Sequence, residues 1–240
     1  MNPAPLLLLI PGNMCDARLW DADGGAIRAA LAAATGRTPA DADTSQDDTI
    51  AAMAERALSA TRGPLLLVGF SMGAIIATAM AGQAPERVAG MVLAGYNAGA
   101  DMPERSAARP AQQDAVRAGG LDQVLTGLLT HYFAAANSAK DDLSETVMAM
   151  GRALGPKVFV RQSEALRLRE SRIAALASLA CPVLYLVGAE DRLCPPAWHE
   201  RWQAQTPNSA LHVIAGAGHM APLETPQAFA AAITDWWAGP

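Results

Sequence analysis

The sequence predicts an α/β fold: a mostly parallel sheet of about six strands with helices on both faces, interrupted by an all-helical insertion. Three observations carry this. Short, wholly apolar runs recur along the chain, as strands buried on both faces require. Alanine-rich helical stretches alternate with them, and alternating strands and helices mean parallel strands joined by crossovers. From about residue 97 to 178 the strand-like runs vanish and only helical segments remain. With 240 residues, 51% hydrophobic and 17% charged, the chain is long and apolar enough for one such core and too apolar to be disordered.

The elements follow in order. Leu6 to Ile10 is the first strand candidate, ended by Pro11-Gly12. Residues 26–34 are helical, and residues 37–42 make a poor strand because Pro39 cannot donate to a ladder. Residues 48–60 are helical, with Asp47 or Asp48 as the cap. Leu65 to Val68 is a buried strand, Met72 to Gln83 a helix that stops before Pro85, and Val88 to Ala94 a further strand. In the insertion, helices are expected over 112–118, 121–136, 143–154 and 158–168, with prolines 103, 110 and 156 as separators. The sheet resumes with Val183 to Val187, a helix over 198–205 and a strand over 210–214. It closes with a helix over 226–237, capped by Thr225 with Pro226 in the first turn. The expected division is 1–98 for the first part of the core, 99–177 for the helical insertion and 178–240 for the second part.

Bulk properties exclude several classes. A net charge of −5 gives no basic face for nucleic acid. No apolar stretch reaches the 18 or so residues of a membrane span, and the Leu6 run is too short and lacks the basic flank of a signal peptide. Cys15, Cys181 and Cys194 are odd in number and widely spaced, which fits free thiols in a cytoplasmic protein rather than a disulfide framework or a metal knuckle. No cofactor or metal site is expected. The oligomeric state, monomer or homodimer, stays open.

The chemistry concentrates in Gly69-Phe70-Ser71-Met72-Gly73, between a buried strand and a helix. A sharp strand-to-helix turn presents such a serine at the carboxyl edge of the sheet, and side chains at Gly69 and Gly73 would clash in it. Without that setting the pentapeptide reads equally well as a glycine-rich turn. A serine hydroxyl needs a histidine base, and the base needs a carboxylate. On this kind of turn the partners follow in the order serine, acid, histidine. Gly188-Ala189-Glu190-Asp191 follows one strand, and Gly216-Ala217-Gly218-His219 follows the next. Both therefore lie on loops at the edge that carries Ser71.

Among the other histidines, His212 reads as a partly exposed strand residue and His199 as a surface residue, while His131 either lines a pocket or packs. Asp191 is preferred to Glu190, which faces away or pairs with Arg192. Asp23 and Asp101 come from the wrong loops, and Glu224 reads as a carboxylate behind the base. An oxyanion needs preorganised N–H donors. The backbone amides of Met72, after the serine, and of Asn13, in the loop Pro11-Gly12-Asn13-Met14, are the candidates.

These pieces, with Pro195 and Glu224-Thr225-Pro226, resemble the α/β-hydrolase superfamily in its cap-bearing serine esterase branch. The chain is similar there to the pimeloyl-carrier methyl ester esterases and related small carboxylesterases, over about residues 4–98 and 178–240. The resemblance implies a helical cap after the strand ending at Ala94 and an acyl-enzyme mechanism on Ser71, Asp191 and His219, acting on a small ester or acyl substrate. The family often has His-Gly where this chain has Pro11-Gly12, so the backbone donor is kept and the side-chain anchor of its loop is lost. The same residues also serve a lactonase or enol-lactonase, a thioesterase, a C–C bond hydrolase or a cofactor-free perhydrolase, and a binding protein can keep the fold without catalysis. Arg161, Arg167, Arg169 and Arg172 either hold a substrate anion or form a solvated face pairing with Glu164 and Glu170. Met72, Met148, Met150 and Leu125 form either an acyl pocket or cap core.

Overall fold

The computed structural model describes residues 4–239. Its elements run β1 (Leu6–Ile10), α1 (Ala22–Thr35), β2 (Ala40–Asp41), α2 (Ile50–Ser59), β3 (Leu65–Phe70), α3 (Met72–Gln83) and β4 (Val88–Ala94). Four helices intervene: α4 (Pro103–Arg117), α5 (Leu121–Leu129), α6 (Asp141–Arg167) and α7 (Ile173–Leu176). Then come β5 (Val183–Gly188), α8 (Pro196–Gln203), β6 (Ser209–Ile214), α9 (Ala221–Glu224) and α10 (Pro226–Ala238).

The six strands form one wholly parallel sheet in the order β2-β1-β3-β4-β5-β6. Alternation along each central strand sends side chains to opposite faces. Leu8, Ile10, Leu65, Leu67, Met91, Leu93, Val183 and Tyr185 pack with α2, α3 and Trp202 of α8. Leu7, Leu9, Leu66, Val68, Val92, Leu184 and Leu186 pack on the other face with Ile27 of α1 and Phe229 of α10. Both faces are covered, which is why these strands read as unbroken apolar runs. From β1 the chain goes first to β2 on one side and then to β3 on the other. That reversal opens a crevice at the carboxyl ends of β1 and β3, where open α/β sheets bind ligands.

The expected edge strand is only two residues long, pairing Ala40 with Leu8 and Asp41 with Leu9 just after Pro39. Neither Asp47 nor Asp48 caps α2. Thr49 does, its hydroxyl accepting from the Ala52 amide at 3.2 Å, while Asp47 binds Arg56. Thr225 does not cap α10 with its side chain; its hydroxyl donates back to the Ala221 carbonyl. Pro110 does not separate helices, since α4 runs through it. It stands on the exposed side, where water can take the hydrogen bond its missing N–H forfeits. Helix α5 stops at Leu129, short of residue 136. The following backbone is drawn onto the core instead: the Tyr132 carbonyl accepts from the Met220 amide, and the Ala134 amide donates to Glu224. Gly155, at φ 79° and ψ 178°, breaks α6 just before Pro156, as the proline there predicts. No helix among the described residues is long and apolar enough to cross a membrane.

Candidate active site

Ser71 sits between β3 and α3 with φ 52° and ψ −113°, a left-handed backbone that costs a non-glycine residue about 1–3 kcal/mol. The surroundings hold it there. Its amide donates to the Ala94 carbonyl of β4 at 2.8 Å, and its carbonyl accepts from the Ala74 amide. A methyl group on Gly69 would meet the Gly73 carbonyl at 2.5 Å, and one on Gly73 would run into the Ile10 carbonyl of β1. The glycines of the pentapeptide therefore let α3 start flush against the sheet.

The loops after β5 and β6 bring the two partners to this turn. His219 Nε2 lies 3.1 Å from Ser71 Oγ, and His219 Nδ1 lies 2.8 Å from Asp191 Oδ2. The imidazole is buried between two aromatic rings, Phe70 at 5.1 Å and Tyr132 at 6.0 Å between centroids. Asp191 is also buried. Its second oxygen, Oδ1, accepts from the amides of Leu193 and Cys194, each at 2.8 Å. Burial pushes its carboxyl pKa up, but the His219 charge, the His219 hydrogen bond and these two amides outweigh burial and hold it below the usual range.

Asp191, Cys194 and His219 bring potential ligand atoms within 4.8 Å of one another. This set does not suit a metal. Both Asp191 oxygens already serve N–H donors, and burial beside the Asp191 charge pushes the Cys194 thiol up, so it stays protonated and a poor ligand.

The remaining carboxylates divide as the sequence suggests. Glu190 faces away from the imidazole, and its Oε2 accepts from the Ala135 amide. Glu224 stands behind the His219 imidazole. Its Oε1 accepts from the Gly218 amide at 2.8 Å, and its Oε2 from the Ala134 amide and Asn137 Nδ2, so one side chain fixes the His219 loop to the insertion.

Asn13 and Met72 line the same cavity as Ser71 and His219. Among the described residues neither backbone amide has a protein partner. The side-chain anchor missing from Pro11-Gly12 comes from elsewhere. Gln162 of α6 is fully buried, and its Oε1 accepts from the Met14 amide at 2.8 Å and Asn13 Nδ2 at 3.4 Å. Its Nε2 donates to the carbonyl and the hydroxyl of Thr44. Sequence reasoning missed Gln162, because a glutamine in the middle of a helical segment carries no local signal.

His199 is not a surface residue; it is fully buried. Its Nε2 accepts from the Tyr96 amide at 2.8 Å, and its Nδ1 faces the Pro195 carbonyl at 3.2 Å, which fixes the neutral tautomer. Burial lowers its pKa to about 4. His212 is exposed on β6, and His131 is an exposed lining residue of the cavity. Of the cap arginines, Arg167 pairs with Glu164 as expected of a solvated face, and Arg161 donates to the Ser45 carbonyl. Arg169 is instead buried against Asp101. Only Met72 of the four apolar candidates lines the cavity; Leu125 and Met148 pack inside the insertion, and Met150 joins the core.

The cavity holds about 840 Å³ between the sheet edge and helices α4–α6, room for a small or medium-sized organic molecule. A serine–histidine–aspartate relay under a helical cover, at the reversal point of a parallel sheet, is an arrangement suited to hydrolytic chemistry. The chain matches the Alpha/beta hydrolase family over residues 7–232 and belongs to it. It is 27% identical to the biotin biosynthesis bifunctional protein BioHC of Cellvibrio japonicus, over 97% of this chain and 47% of that one. It is 32% identical to the pimeloyl-(acyl-carrier protein) methyl ester esterase of Xanthomonas campestris, over 68% of this chain and 66% of the other. The match thus spans about half the length of the first relative and just under two thirds of the second. A thermophilic esterase from Thermogutta terrifontis, solved with malate bound, superposes with a TM-score of 0.86 at 25% identity, over 99% of this chain and 91% of that one.

Proposed function

We propose that the protein hydrolyses carboxylic esters of small or medium-sized substrates through an acyl-enzyme on Ser71. The observation that carries this is the continuous relay from Ser71 Oγ through His219 to Asp191, at 3.1 Å and 2.8 Å. Ser71 Oγ attacks the ester carbonyl as His219 Nε2 takes its proton. Asp191 holds Nδ1–H and stabilises the imidazolium. The carbonyl oxygen becomes an oxyanion, received by the amides of Asn13 and Met72, with the α3 N-terminus adding favourable dipole. His219 then protonates the leaving alcohol. In the second half the same imidazole takes a proton from water, the hydroxide attacks the acyl carbon, and Ser71 leaves with its proton restored.

Gln162 acts here as a positioning residue, holding the Asn13 loop from the insertion side. Residues 99–177 serve as a cap that shapes the substrate space. The names of the Xanthomonas campestris methyl ester esterase and of the solved Thermogutta terrifontis esterase agree with ester chemistry. Three free, buried cysteines agree with a reducing compartment such as the cytoplasm.

Ser71→Ala tests the reading. On p-nitrophenyl butyrate it should lower kcat by several orders of magnitude, on the order of 10⁶-fold where the nucleophile acts with its base as a unit, and abolish labelling by a fluorophosphonate. Wild-type turnover in that variant would sink the assignment.

A further inference from the structure

We propose that the cavity contains an anion subsite, formed by Arg105 and Arg109 beside the Arg169–Asp101 pair, and that the preferred ester carries a carboxylate away from the scissile bond. This rests on the ester-hydrolase reading above and adds the charge of the substrate to it.

The argument is one of uncompensated charge. The Asp101 side chain is 2% exposed and accepts from two guanidinium groups: Arg169 Nη1 at 2.8 Å and Arg109 Nε at 2.6 Å. One arginine would neutralise it. Arg169 already fills that role, and its other donors reach the Gly99 and Ala100 carbonyls. Arg109 is therefore a second, largely buried cation on a single carboxylate. Arg105 lies one helical turn earlier on α4, and its recorded protein partner is neutral, the Leu193 carbonyl at 3.2 Å. Asp101, Arg105, Arg109 and Arg169 all line the cavity that holds Ser71 and His219.

Exposed Glu104 and Arg192 also line it, so the lining's four arginines exceed its two carboxylates, Asp101 and Glu104, by two positive charges. The whole chain, by contrast, carries −5. A buried cation without a counter-charge is costly, and the cost is relieved by an anion. Among the described residues no protein acceptor takes Arg109 Nη1 or the Nε and Nη1 of Arg105. These unpaired charged N–H donors suit a carboxylate. Around the serine the lining is apolar instead, with Phe70, Met72 and Ile75. An ester with one charged end and an apolar middle matches both regions.

The test compares p-nitrophenyl half-esters of glutaric, adipic and suberic acids with neutral p-nitrophenyl alkanoates of equal length. The wild-type protein should show a higher kcat/KM for one half-ester than for its neutral counterpart, and the best chain length reads the span from Ser71 to the arginines. Arg105→Gln and Arg109→Gln should each cut that half-ester-to-neutral ratio by about tenfold or more, as loss of a charged hydrogen bond implies. Arg105→Lys should keep part of it. Calorimetry on Ser71→Ala gives a second readout that needs no turnover: glutarate or adipate should bind, and inorganic phosphate should bind more weakly. A ratio at or below one in the wild type, or a ratio that neither glutamine variant changes, overturns the subsite. So does stronger binding of phosphate than of either dicarboxylate. Failure to cleave any ester would remove the hydrolase reading instead, and the calorimetry would still decide the subsite.

Discussion

Asp191 uses both of its oxygens, one on His219 and one on two backbone amides, and so leaves the imidazole a single orientation. The juxtaposition of Ser71, Asp191 and His219 was legible because each lies on a glycine-bounded loop directly after an apolar run, and order plus edge reduces the choices to one. Gln162 and His199 were not legible. What each does depends on a partner more than 100 positions away, Met14 at a separation of 148 and Tyr96 at 103. Gln162 supports a specific expectation. Gln162→Met keeps the volume and removes the acceptor of the Met14 amide, so the Asn13 amide, proposed above as an oxyanion donor, loses its brace. We expect kcat to fall on the order of tenfold, less than the 10²–10³ of a deleted oxyanion donor, with KM nearly unchanged. Affinity for a boronic acid analogue of the tetrahedral intermediate should fall in parallel with kcat. A loss of thermal stability with unaltered kcat and analogue affinity would reduce Gln162 to a packing residue.

At the scale of elements, the central strands and α3 were readable to within a residue or two, because two-sided burial leaves an unmistakable apolar signature. The ends of the helices were less so. Cap choice at α2 turned on φ and ψ: Thr49 has the extended backbone of a capping residue and points its hydroxyl at the Ala52 amide, whereas Asp47 is taken up by Arg56. Thr49→Ala should therefore cost about 1 kcal/mol, and Asp48→Ala no more than about 0.5 kcal/mol, both measured by urea unfolding. Equal losses in the two variants would contradict the observed cap. In the insertion, proline counting failed at Pro110 and succeeded at Pro156. The difference is Gly155, whose φ of 79° ends regular helix there, while Pro110 sits on an open face.

For the whole molecule, the two sheet faces and the covering helices were foreseeable as layers, but the way the insertion fastens to the core was not. The fastening relies on buried polar groups such as Gln162, while in the core beneath it buried His199 and Asp191 make the fold sensitive to acid. His199 is held neutral, with its pKa lowered from 6.5 to about 4. The unfolded chain protonates first as pH falls, so its contribution to stability is whole above pH 6.5 and is lost between there and about pH 4. The loss is on the order of 3 kcal/mol. Asp191, also lowered, adds a second loss below its ordinary value of 3.8. Urea midpoints measured across this range should decline with pH, and His199→Gln should flatten the upper part of the decline. An unchanged slope in that variant would exclude His199 as its source.

The Arg169–Asp101 pair has a further consequence. Arg169, near the exit of the insertion, grips Gly99, Ala100 and Asp101 at its entrance, so both ends of the inserted chain are clasped at one point. Everything between is a closed cassette. Because lengthening a loop whose ends are already joined costs little closure entropy, helices could be exchanged, extended or trimmed above that clasp while the sheet beneath keeps its register. Substrate preference could then diversify independently of the chemistry below it.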